Sequence, residues 1–299
     1  MKQRRRCCAY PTKTGCRPFA RARWIGYSRA KELLNKFDGL LNHPRVQRMP
    51  NLLVVGETNN GKSVLVNRFQ HLHPASENRP GEGVMVPVLL IQAPPVPDEL
   101  RFYHSILEAL ASPYRPHESA AKKMPQVLRL LRTIGLRMLI IDEIHHILAG
   151  HISKQQQMLN VLKYLGNELQ IPLVGVGTKD ALRAIQTDPQ MANRFEPAAL
   201  PRWDLNREFL MLLASFERVL PLRKPSQLWE PPLAARLLAL SEGTIGELSS
   251  LLAAAASHAI GTGRECIDSD LLSEVDWEPP SERKRQVDGV LEQWNEKSG

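Results

Sequence analysis

One eight-residue stretch restricts this chain more than any other: Gly56-Glu57-Thr58-Asn59-Asn60-Gly61-Lys62-Ser63. It has the form G-x-x-x-x-G-K-[ST]. The apolar run Asn51–Val55 (NLLVV) before it predicts a buried strand, and Val64–His71 after it predicts a helix. A loop in that position can turn its backbone N–H groups inward around phosphate oxygens. Glycine permits the path, and the helix N-terminus adds positive dipole. In such a loop Lys62 reaches the β- and γ-phosphates of a nucleotide and Ser63 ligates Mg2+. The expected binding segment therefore runs from Gly56 through Val64, with ATP and Mg2+ as ligands.

Met138-Leu139-Ile140-Ile141-Asp142-Glu143 supplies the second signal. Four apolar residues feed a carboxylate pair at a strand's carboxyl end, where ligands of open α/β sheets bind. An apolar run followed by two acids is common, but eighty residues after Lys62 it gains meaning. Asp142 is placed to hold Mg2+ through water, and Glu143 to orient or deprotonate the attacking water. An adjacent Glu points to hydrolysis rather than phosphoryl transfer to a small molecule.

Three weaker features follow. Val174-Gly175-Val176-Gly177-Thr178 ends a strand in a small hydroxyl side chain. Thr178 either senses the γ-phosphate and its water or merely caps the helix that follows. Asn193-Arg194-Phe195 stands before the last strand. Arg194 either reaches a neighbouring subunit's γ-phosphate, a role suited to a planar guanidinium, or sits in a surface salt bridge. Trp24-Ile25-Gly26-Tyr27 either flanks an adenine ring, with Trp24 and Ile25 touching it, or packs in the core. His145 and His146 follow Glu143 in the wrong order for H-E-x-x-H and read as packing or solvent-facing histidines.

Between these motifs the apolar pattern alternates strand and helix. Strands are expected at 51–55, 84–93, 137–141, 173–177 and 198–200. Helices are expected at 27–41, 64–71, 98–111, 127–134, 153–169 and 181–185, with residues 112–125 as loop. That alternation predicts a parallel sheet with helices on both faces. After Trp203 only helical patterns remain, at 205–219, 232–241, 245–260 and 269–275, which sets a domain boundary near residue 204. The charged stretch from Trp277 reads as a tail with room for a short helix.

Charge enters here because of where it lies. The chain's net charge is +8, yet residues 1–31 hold ten basic side chains and no acid, while the rest carry 29 basic against 31 acidic residues. The molecule is a near-neutral body with a basic head. No apolar run approaches the roughly 18 residues a bilayer span needs. The basic start lacks the apolar stretch of a secretory signal. The four cysteines, Cys7, Cys8, Cys16 and Cys266, have neither disulfide-framework numbers nor zinc spacing. A cytoplasmic location with reduced thiols, and no membrane partner, is expected.

Taken together, the loop, the IIDE strand, the strand ending in Thr178, the N-R-F step and the helical end resemble an AAA+ ATPase. More narrowly, RWIGYSRA (23–30), MPNLLVVGETNNGKS (49–63), LIIDEIHHILAG (139–150), PLVGVGTKDA (172–181) and RFEPAALPRW (194–203) resemble the TniB family of transposition ATPases, related to TnsC and more distantly to MuB. The resemblance covers residues 23–275. It implies a nucleotide-binding α/β core over 23–204 built on a five-stranded parallel sheet, and a helical lid over 205–276. Residues 1–22 are then a basic arm expected to be disordered, and 277–299 a charged tail. It further implies ATP-dependent assembly on double-stranded DNA as a ring or helical filament, with a DDE-type transposase and a TniQ-like adaptor as partners. The family roles fall on Lys62, Ser63, Asp142, Glu143, Thr178 and Arg194. One departure is that Glu242–Leu248 contains no Arg where AAA+ lids often carry a sensor Arg.

Two other functions compete. One is a helicase loader or replication-initiator-like ATPase, against which the residues after 275 are too few for an appended helix-turn-helix module. The other is a nucleotide-gated DNA scaffold with little hydrolysis, against which Glu143 argues. Candidate DNA-facing segments are Asp98–Arg101 and the loop around Lys122–Lys123.

Overall fold

A computed structural model describes residues 24–77 and 83–298, and they divide into two compact units. The first unit comprises Gly26–Trp203 together with Thr244–Gly246. The second contains Trp24 and Ile25, Asp204–Gly243 and the chain from Glu247 onward. The basic arm expected over residues 1–22 lies outside the described residues.

The first unit is built on five parallel strands: β1 (Asn51–Gly56), β4 (Val88–Gln92), β5 (Met138–Asp142), β6 (Leu173–Gly177) and β7 (Phe195–Leu200). Their order is β4-β5-β6-β1-β7. All six residues of β1, all five of β6 and the first four of β5 are buried. That is what unbroken apolar runs require when helices cover both faces of a sheet. β1 and β6 run in register, Val55 against Gly177, so two of the expected functional segments leave the sheet side by side.

The helices supply the covering faces. In α1 (Ser28–Leu41) the buried residues Ala30, Leu33, Phe37 and Leu41 recur at helical spacing. Phe37 meets Phe69 of α2 (Lys62–Leu72) edge to face, with ring centroids 5.2 Å apart. Such a pair contributes about 0.5–1.5 kcal/mol beyond its burial. The long α5 (Ile152–Leu169) buries Met158, Leu159, Leu162, Leu165 and Leu169 along one stripe.

Several expectations are corrected. The single strand expected at 84–93 is two. Val84–Met85 (β3) pairs antiparallel with Ser76–Glu77 (β2), and only Val88–Gln92 enters the main sheet. Pro87 marks the break because it has no N–H to donate; its carbonyl instead accepts from Arg137 and Met138. The loop expected over 112–125 ends at Ser119, where α4 (Ala120–Thr133) begins and carries Pro125 within its second turn. Lys123, a candidate for facing DNA, is fully buried in that helix. It pairs with Glu118 at 2.6 Å and lies over the Tyr114 ring, so it is a structural cation with no open surface. The last strand is longer than expected: β7 takes in Pro197, which an edge strand tolerates. Helix α3 (Glu99–Ala109) packs on α4 and β4, and α6 (Lys179–Gln186) and α7 (Pro189–Ala192) lead into β7.

Among its described residues the regular elements of the second unit are all helices: α8 (Arg207–Val219), α9 (Pro231–Ser241), most of α10 (Ile245–Gly261), α11 (Ser269–Glu274) and α12 (Pro280–Ser298). Asn206 and Asp268 cap α8 and α11 by accepting from Phe209 and Leu271 N–H. The Glu217 carboxylate accepts from the N–H groups of Ser226, Gln227 and Leu228, fastening the loop before α9. The charged tail forms a 19-residue helix rather than a short one. It is anchored at its start: Trp277 donates to the Leu240 carbonyl at 3.1 Å, and Arg283 lies over the Trp277 ring and pairs with Glu247. Among the described residues no single helix is long and apolar enough to cross a membrane.

Candidate functional site

The loop after β1 has the shape its composition demands. Gly61 adopts φ +81° and Asn59 φ +59°, both left-handed, and this pair of reversals folds the backbone into a cradle at the N-terminus of α2. The loop is tied from two sides. The buried Asn60 amide donates to the carbonyls of Leu200 and Pro201, at 2.9 Å each, joining the loop to the end of β7. The Asn59 carbonyl accepts from Gly246 N–H at 2.9 Å. Gly246, which belongs to the same unit, thus meets the loop through its backbone.

Lys62 is only 5% exposed, and its ammonium donates to the Gly56 and Glu57 carbonyls at 3.0 and 2.7 Å. Burial strips its water and pulls its pKa below the ordinary lysine value; Glu143, Asp142 and Glu57 oppose that shift. The carboxylate pair at the end of β5 therefore faces the loop lysine. Ser63, next in sequence, is half-buried, and Val64 is 42% exposed.

At the carboxyl end of β5 the chain turns sharply. Glu143 sits at φ +53°, its N–H donates to Asp142 Oδ1 at 2.9 Å, and Ile144–His146 form one 3₁₀ turn. Ile144 is buried against the sheet beside Gly175 and Gly177. A Cβ on Gly175 would come within 2.9 Å of it, so the small residues of β6 make room for this turn. His145 does not simply pack. Its Nε2 stands 3.3 Å from Glu143 Oε2, while its Nδ1 is buried and without a partner. Burial lowers its pKa, with the Glu143 carboxylate pulling the other way. Periodicity could not have found this contact; an acid and an imidazole two residues apart after a strand was the only signal.

Thr178 follows β6. It occupies the cap position of α6, yet its side chain makes no cap hydrogen bond, and its hydroxyl is buried and unpartnered. A buried hydroxyl without a partner costs roughly 1–3 kcal/mol, which a ligand oxygen or water would recover. Gly56–Ser63, Asp142, Glu143 and Thr178 thus leave the same edge of three adjacent strands, β5, β6 and β1.

Arg194 does not join them. It precedes β7 at the sheet's amino edge, and its carbonyl accepts from Asn51 N–H at 2.9 Å. Its guanidinium donates to the Asn167 amide oxygen, and no ion pair involves it among the described residues, so the salt-bridge alternative is not what it does. Trp24 and Ile25, half-buried, divide with the second unit. Tyr27 packs edge to face on Trp203, ring centroids 4.9 Å apart, and burial pushes its hydroxyl up to about 12.

The residues present fit ATP and Mg2+. The cradle, the Lys62 ammonium and the helix N-terminus suit polyphosphate. Ser63 and Asp142 are the hydroxyl and carboxylate oxygens a hard cation prefers.

The profile of the family described as "Bacterial TniB protein" matches residues 17–205. The match begins six residues inside the stretch set apart above as an arm, and it ends where the second unit begins. No curated protein matches. Among solved structures, the chain is similar to the Aeropyrum pernix ORC2 protein in ADPNP–ADP complexes (TM-score 0.61, 16% identity, 88% of this chain and 71% of that one). It is similar to CDC6P from Pyrobaculum aerophilum (TM-score 0.59, 14% identity, 83% and 67%). A third is the Aeropyrum pernix ORC1 protein in complex with DNA (TM-score 0.57, 17% identity, 84% and 65%). At such identity the likeness is one of fold: an α/β AAA+ core with a five-stranded parallel sheet.

Proposed function

The chain belongs to the TniB family, and from that premise we propose that it is an ATPase that assembles on double-stranded DNA, marks it as a transposition target and recruits a DDE-type transposase, with a TniQ-like adaptor as a further partner. The observation that carries the hydrolytic half is the convergence of Lys62, Asp142, Glu143 and the unpartnered Thr178 hydroxyl on one edge of three neighbouring strands. Family membership carries the DNA half.

In this reading the loop N–H groups and Lys62 hold the β- and γ-phosphates, and Ser63 and Asp142 hold Mg2+. Bound there, the ion supplies charge neutralisation across the phosphate oxygens. Glu143 orients the water that attacks the γ-phosphorus and takes its proton as ADP leaves. Thr178 donates its hydroxyl to that water or to a γ-oxygen. Arg194, at the far edge of the sheet, serves a neighbouring subunit's phosphate in a ring or filament. The helical second unit acts as the lid, and the basic N-terminal residues add nonspecific affinity for DNA phosphates.

The test compares the parent, Glu143→Gln and Lys62→Ala on fluorescent duplex DNA, with ATP turnover followed in parallel. Glu143→Gln should bind ATP, fail to hydrolyse it and stay on DNA; Lys62→Ala should lose both. The parent's log affinity should fall with log salt at roughly −0.9 per neutralised phosphate. DNA binding indifferent to nucleotide and salt would refute the DNA half. A Glu143→Gln chain that turned over like the parent would refute the hydrolytic half. Copurification with a replicative helicase instead of a transposase would move the reading to a loader.

A further inference from the structure

The 3₁₀ turn after β5 gathers more than Glu143 needs for a water. The carboxylate of Glu143 and the imidazoles of His145 and His146 each offer a ligand atom, and those atoms all lie within 4.8 Å of one another. All three side chains are half-buried, and the two rings stand 4.4 Å apart. Zinc sits about 2.0–2.2 Å from imidazole nitrogen and carboxylate oxygen. An ion at about 2.1 Å from both His145 Nε2 and Glu143 Oε2, themselves 3.3 Å apart, subtends an angle of about 104°, close to tetrahedral. The spacing of that pair is one that two ligands of a shared metal would have.

We propose that Glu143, His145 and His146 form a transition-metal site of the Zn2+ class, and that its occupancy withdraws the Glu143 carboxylate from the water and turns hydrolysis off. The inhibitory half rests on the reading of Glu143 as the hydrolytic carboxylate; the binding half does not. The donor set gives the selectivity. Two imidazoles and one carboxylate suit Zn2+ and Co2+, whereas Mg2+ keeps oxygen ligands and water, so millimolar Mg2+ does not compete. Three protein ligands leave the fourth tetrahedral position to water.

The tight turn builds the site. Glu143's left-handed backbone brings an acid and an imidazole two residues on to the same side, which a regular helix would not do. Ile144 locks the turn by burial under β6. The cysteines of the chain are a competing sink for zinc, so the comparison is made between parent and variants that carry all of them.

The untagged full-length chain is titrated with Co2+, followed by its visible absorption, and with Zn2+ by calorimetry; ATP turnover is measured with and without Zn2+ at constant Mg2+. His146→Ala should keep basal turnover in the presence of a chelator. Losing even an outer-shell partner weakens metal binding about 10–100-fold, so losing this ligand should weaken Zn2+ and raise its inhibitory midpoint at least about tenfold. His146→Cys should restore binding and add a thiolate-to-cobalt charge-transfer band, a signature no folding defect produces. Equal metal affinity in parent and His146→Ala, or no new band in His146→Cys, would overturn the site. Metal bound through His146 without inhibition would overturn the inhibitory half and the role given to Glu143, leaving the site itself standing.

Discussion

The backbone N–H of Asn51 donates to the carbonyl of Arg194 at 2.9 Å, which pins Arg194 to the amino end of the sheet. Asn51 opens β1, and the phosphate loop begins at its other end, at Gly56. Five residues of strand at about 3.3 Å each separate the two ends by roughly 17 Å. A guanidinium so placed cannot comfortably serve its own chain's nucleotide. Arg194→Ala should therefore cut turnover by at least about tenfold, a conservative figure beside the 10³–10⁵ of GTPase fingers. Mixing Arg194→Ala with Glu143→Gln should restore activity above either alone, because one chain supplies an intact pocket and the other the arginine. No recovery at any mixing ratio would return Arg194 to a local role with Asn167.

Thr178→Val separates catalysis from folding. The hydroxyl has no partner, so replacing it with a methyl of similar shape should leave the nucleotide-free melting temperature unchanged or slightly raised. ATP affinity should persist, while turnover falls by about tenfold or more, at least about 1.4 kcal/mol on the barrier. Parent-like turnover would leave Thr178 without a part in the reaction.

Asn60 should matter to stability first. Its amide answers two carbonyls at once, and Asn60→Ala leaves both without that donor. A loss of about 2 kcal/mol is expected. For a domain of this size that lowers the melting temperature by about 4–8 °C. Weaker ATP binding should accompany it, since the loop loses its tie to β7. An Asn60→Ala chain that melts with the parent would show the tie to be idle.

Asp188 gives a pH dependence of known sign. It caps α7 by accepting from Gln190 and Met191 N–H, and it pairs with Lys163 and Gln156. Burial alone would raise its carboxyl, but those donors hold it down to about 2. The folded value lies below the unfolded value of about 3.9. The group's contribution, about 2 kcal/mol, is thus complete above roughly pH 5 and is lost as pH falls towards 2. Urea midpoints at pH 6 and pH 3 should differ more for the parent than for Asp188→Asn. Parallel declines would assign the acid sensitivity elsewhere.

The sheet was legible in the sequence because its strands are buried on both faces and therefore read as unbroken apolar runs; β1, β5 and β6 lie almost where those runs stand. The phosphate loop was legible because backbone geometry dictates its glycines. Features decided by single residues were harder. Pro87 divides what hydropathy shows as one strand, and Pro125 made a helix look like loop. Lys123 looked like surface charge because its partners Glu118 and Tyr114 carry no periodic signature. His145 escaped because its contact depends on the left-handed turn at Glu143, which sequence spacing does not encode. That Arg194 rests on Asn167 became clear only from the structure, since nothing in the spacing of the two residues announces it.

The strand β7 has one further consequence. At one end, Leu200 receives the amide of Asn60 from the phosphate loop; at the other stands Arg194, its guanidinium on Asn167. Six residues of sheet, hydrogen-bonded along their length to β1, form a strut with little capacity to stretch. If Arg194 serves the next subunit, the strut's two ends answer to two different nucleotides, and a displacement at one is delivered to the other. Such coupling is reciprocal by thermodynamic necessity. An assembly of these chains would then fire in correlated neighbours rather than as independent sites, with the sense of propagation set by the direction in which β7 runs.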